Sequence, residues 1–151
     1  MSHQEKTAAV SLISALIVLI FYTNYSLGIH AEGLLDGPDA AHLVGRSAFI
    51  MIGVGIGVTI ILNIVFTIVQ SMVTQEYDAE DAITDERDEL IELKAMRISF
   101  ISFCFAFMAI LGVLAFGELG PYLTILCVIG VLYLSSILGD IIKLYHYRRG
   151  F

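Results

Sequence analysis

Four stretches of this chain each run for about twenty residues without a charged side chain, and that repetition constrains the fold more than any other feature. The stretches are residues 8–28, 47–69, 98–117 and 121–139. A helix rising 1.5 Å per residue needs about 20 residues to cross a hydrocarbon core. Inside lipid the backbone must satisfy its own hydrogen bonds, which leaves helices or a closed barrel. Runs of this length predict helices. The expected fold is all-α: a single domain over residues 1–151, with four transmembrane helices in a bundle at about 8–28, 47–69, 98–117 and 121–142. Composition agrees, with 58% apolar and 15% charged residues and a mean hydropathy of +0.85. Soluble domains carry charge on about a quarter of their residues, so an ordinary water-soluble enzyme is excluded. Net charge −7 also removes the basic footprint of a nucleic-acid binder.

The first run follows Lys6 as the apolar core of a signal peptide would. It is too long for one, and Ser26-Leu27-Gly28 is a poor cleavage site, so it is expected to stay attached. Between the third and fourth runs, Gly117 can end one helix and Pro121 can begin the next, which predicts an antiparallel hairpin. Orientation follows from Lys and Arg, not from net charge. With both termini cytoplasmic, Lys6, Arg87, Lys94, Arg97, Lys143, Arg148 and Arg149 lie inside and Arg46 outside. In a bacterium this describes a multi-pass inner-membrane protein. Tyr22, Tyr25 and Tyr122 would then form an outer aromatic belt, and Tyr145 and Tyr147 an inner one.

The charge itself is concentrated in residues 74–97. Residues 76–97 hold nine of the fifteen acids and three basic residues. Thr84 or Asp85 can cap a helix there, with acids in its first turn and Lys94 and Arg97 reaching the bilayer surface, so the third helix is expected to extend into the cytoplasm. Arg87 and Lys94 meet no acid three or four residues away, the spacing that helix-surface ion pairs need. Asp85, Glu86, Arg87, Asp88, Glu89, Lys94 and Arg97 are therefore expected to form an interaction face, with Lys143, Arg148 and Arg149 as basic partners. The alternative is a solvated face whose charges form no lasting pairs.

The run Asp85-Glu-Arg-Asp-Glu-Leu-Ile-Glu-Leu-Lys-Ala95 before the third span, with Tyr147-Arg-Arg-Gly150 at the end, resembles a group of small bacterial integral membrane proteins. Their pattern is a DERD…I…KA segment and a terminal YRRG. The resemblance covers the second span onward; it implies four spans and a regulatory setting, and conveys no activity.

Within the spans, small residues mark where helices can approach. Gly53 and Gly57, Ser102 and Ala106, and Ser135 and Gly139 have the right spacing. Gly53-x-Gly55-x-Gly57 has no preceding strand and lacks the further glycine of a dinucleotide turn. Asn63 is the deepest amide, expected to bond a neighbouring helix. Asp140 is the acid nearest the membrane interior; it reads either as an ion pair with Lys143 or as a cation or substrate site. Cys104 and Cys127 have no metal-ligand spacing and read as small hydrophobes. The connector bearing His30, Glu32, Asp36, Asp39, His42 and Arg46 reads as a solvated loop capped by Asp39, not a metal site.

No cofactor motif and no nucleophile–base pair is present, which disfavours a membrane enzyme acting at Asp140 or the His30/His42 loop. The leading expectation is a non-enzymatic regulatory or interaction protein. Its partners would be the lipid bilayer, a cytoplasmic protein or further copies of itself, with no metal, cofactor or nucleic acid. The alternative is a homo-oligomeric transporter or channel for a small solute or cation, lined by Asn63, Thr59 and the serines of the fourth span.

Overall fold

The computed structural model describes residues 3–74, 86–117 and 120–149. These form four helices, α1 (His3–Ala31), α2 (Ala40–Thr74), α3 (Glu86–Phe116) and α4 (Pro121–Arg149), with one 3-10 turn at Leu34–Asp36. All four are long and apolar enough to cross a membrane. The helices overrun the uncharged stretches. In α3 the residues from Glu86 to Arg97, about three turns, precede the apolar run without a break. Thr84 and Asp85, the expected caps, and the acids of residues 76–85 lie outside the described residues.

Local chemistry sets the ends. α1 closes with Glu32 N–H donating to Gly28 and Gly33 N–H to His30, and Gly33 takes the left-handed φ of +67° that a side chain would resist. Asp39 directly precedes α2, and its carbonyl accepts from Leu43 N–H at 3.0 Å, as an N-cap carbonyl does. At the end of α3, Gly117 N–H donates to Val113 at 2.8 Å; a Cβ on Gly117 would stand 2.6 Å from that same oxygen. Pro121 starts α4, where its missing N–H costs nothing.

Packing is uneven. α4 lies along both α1 and α3, α2 lies along α1 and more lightly against α4, and α1 and α3 share no substantial contact among the described residues. At one end Ile29, Leu35, Val44 and Leu126 form a cluster walled by Leu43, Tyr122 and Leu123. Toward the other, Ile91 and Ala95 are fully buried at the start of α3. Large apolar side chains such as Phe49, Phe105, Met108 and Phe116 face outward all round. An apolar exterior of this extent suits lipid, not water.

Polar pins join the helices. The Tyr22 hydroxyl on α1 donates to the Leu126 carbonyl on α4 and is buried, so this side chain belongs to the interior instead of an aromatic belt. Tyr133 on α4 packs its ring against Tyr22, centroids 5.5 Å apart, and donates its hydroxyl to Met51 of α2 at 3.1 Å. The Tyr133 hydroxyl stands only 3.2 Å from where a Cβ on Gly55 would be, with Val18 of α1 at 3.5 Å. Gly53 and Gly57, the expected contact pair, would meet nothing within 4 Å, so within one chain the close approach falls on Gly55 between them.

Candidate functional site

Charged side chains from three helices converge where α4 ends and α1 and α3 begin. Lys143 of α4 and Glu92 of α3 are joined at 3.3 Å. Arg148 of α4 and Glu5 of α1 are joined at 3.1 Å. The first pair is open, with side chains 30% and 60% exposed; in the second, Glu5 is only 11% exposed although Arg148 is 65%. Arg149 turns back on its own helix, donating to the Tyr145 hydroxyl at 2.6 Å with its guanidinium carbon 5.2 Å from that ring's centroid. The Tyr147 phenol stands against Asp88 and Glu92 of α3, with Arg87 in the same field.

Of the expected basic partners, Lys143 reaches the acidic segment of α3, Arg148 reaches α1, and Arg149 engages a tyrosine. Glu86, Arg87, Glu89, Lys94 and Arg97 are exposed, and Asp88 is half-buried beside Tyr147. Among the described residues Arg87 forms no ion pair. Lys94 is engaged. Asp85 lies outside the described residues.

Asp140 differs from the local ion pair expected of it. It is 7% exposed, its Oδ2 accepts from the Ser11 hydroxyl of α1 at 3.0 Å, and Lys143 makes its short contact with Glu92 instead. Sequence reasoning missed Ser11, because a serine within an apolar run has no signal that links it to an acid 129 residues later.

The seam between α3 and α4 is built from small residues. Ser99 Oγ donates to the Ser135 carbonyl at 2.6 Å, and a Cβ on Gly139 would lie 3.3 Å from Ser99 Cβ. Ser135 and Gly139 are both buried. Ser102 bonds back to Ser99 within α3, and Ala106 is half-buried. Beside this seam opens a cavity of about 250 Å³, lined in part by Glu92, Ser99, Ser136, Asp140 and Lys143.

Among the described residues Asn63 makes no cross-helix bond. Its amide donates to Thr59 at 2.8 Å while Thr59 donates to Gly55 and Thr67 to Asn63, a ladder confined to α2. Cys104 and Cys127 are free thiols, and among the described residues no three or more His, Cys, Asp and Glu side chains come together as a metal-ligand cluster. No family model, curated protein or solved structure matches this chain.

Proposed function

We propose that the chain is a non-enzymatic inner-membrane protein, a four-helix bundle with both termini cytoplasmic, that acts by presenting the charged end of its helices to a cytoplasmic protein or to a second copy of itself. The observation that carries this reading is the division of labour among the charges. The Lys143–Glu92 and Arg148–Glu5 pairs tie α1, α3 and α4 together, while Glu86, Arg87, Glu89 and Arg97 stay exposed on a helix held by those ties. Fixed charges of both signs on a rigid element suit recognition, since complementary charge sets register and partner choice. The test is Arg87→Glu in the full-length protein, followed by native mass spectrometry and cross-linking in membranes. A lost oligomer or lost co-purifying partner with unchanged melting supports the proposal, and an unchanged assembly rejects it. Cysteine accessibility at both termini tests the orientation.

A further inference from the structure

We infer that the cavity beside Asp140 is a binding site for a monovalent alkali-metal cation. A carboxylate that is 7% exposed at the end of an uncharged span needs compensation, because burying an unpaired charge costs several kcal/mol. Among the described residues Asp140 forms no ion pair. The nearest cation on its own helix, Lys143, lies within its field but makes its short contact with Glu92. The cavity wall therefore carries two carboxylates and one ammonium, a net charge of one negative.

The remaining polar lining supplies oxygen. Ser99 gives its proton to the Ser135 carbonyl, so its hydroxyl oxygen keeps lone pairs for a cation, while Ser11 holds the Asp140 carboxylate from the α1 side. Ser136 lines the same space, and Gly139 keeps it open where a side chain would press on Ser99. Hard oxygen ligands around a single surplus negative charge match an alkali-metal ion that retains part of its water shell. A divalent ion would reverse the charge of the site.

The test uses the full-length protein in detergent or nanodiscs, with choline chloride exchanged for lithium, sodium or potassium chloride at constant ionic strength. Saturable binding is read by isotopic or nuclear magnetic resonance titration and by the melting temperature. At least one alkali cation is expected to bind and raise the melting temperature where choline does not. Asp140→Asn should weaken that binding by about tenfold or more, the scale of a lost charge-assisted contact. Ser99→Ala, which keeps the charge, should weaken it by a smaller factor and guards against an Asp140→Asn protein that fails to fold. Equal behaviour in choline and all three alkali salts, or an isotherm unchanged in both variants, overturns the proposal. A response to protons with none to alkali cations overturns it as well.

Discussion

Lys143 reaches across from α4 to Glu92 on α3, 3.3 Å away, although Asp140 lies one turn before it on its own helix. Asp140 is turned inward toward Ser11 of α1, whereas Glu92 stands 60% exposed at the helix surface. Snorkelling explains the choice: a long lysine stem covers apolar surface while its ammonium seeks the wetter carboxylate.

The two interhelical ion pairs should differ in worth. Both partners of Lys143–Glu92 are open to solvent, so Lys143→Ala should cost within about 1 kcal/mol. Arg148→Ala leaves Glu5, whose side chain is 11% exposed, without its guanidinium and should cost more. Thermal melts of both variants at low and high salt check the order, and the Lys143 effect should fade further as salt rises.

Tyr22→Phe should weaken the α1–α4 contact by about 0.6–1.7 kcal/mol, the range for hydrogen bonds between membrane helices. The ring and its packing on Tyr133 remain, so the loss reports the hydroxyl bond to Leu126. Reversible unfolding in mixed micelles measures it.

Gly139→Leu should force α3 and α4 apart, because even a Cβ would sit 3.3 Å from Ser99, and overpacking costs about 1–3 kcal/mol. Gly53→Ala and Gly57→Ala should leave the melting of one chain unchanged or raise it slightly, since neither added carbon meets a neighbour within 4 Å. The three variants are compared in one melting series.

Asn63→Leu should change the stability of a single chain by less than about 0.5 kcal/mol, as its amide bonds only its own helix among the described residues. A large loss on melting would show a cross-helix role for this side chain.

The helices were legible in the sequence because charge-free runs of bilayer length leave few other folds, and Gly117 and Pro121 bracket the turn of the α3–α4 hairpin. Partners were harder to read. In water a helix shows its buried side by an apolar stripe, but here the outer surface is apolar too, and the pattern loses its contrast. Hence Gly55 could not be distinguished from Gly53 and Gly57, and Tyr22 was indistinguishable from a belt tyrosine. The inward turn of Asp140 depends on Ser11, a residue with no local link to it. The charged start of α3 at Glu86 was legible because first-turn acids are a local signal.

The placement of α4 has a consequence for biogenesis. Chain order runs α1, α2, α3, α4, yet α4 is the helix that both α1 and α3 lean on, and those two scarcely meet without it. Of the first three helices, α1 and α2 have each other to pack on, and α3 has no substantial partner among them in the described residues. The α1–α2 pair can therefore form first, whereas α3 joins the bundle only once α4 has been made to bridge it to α1.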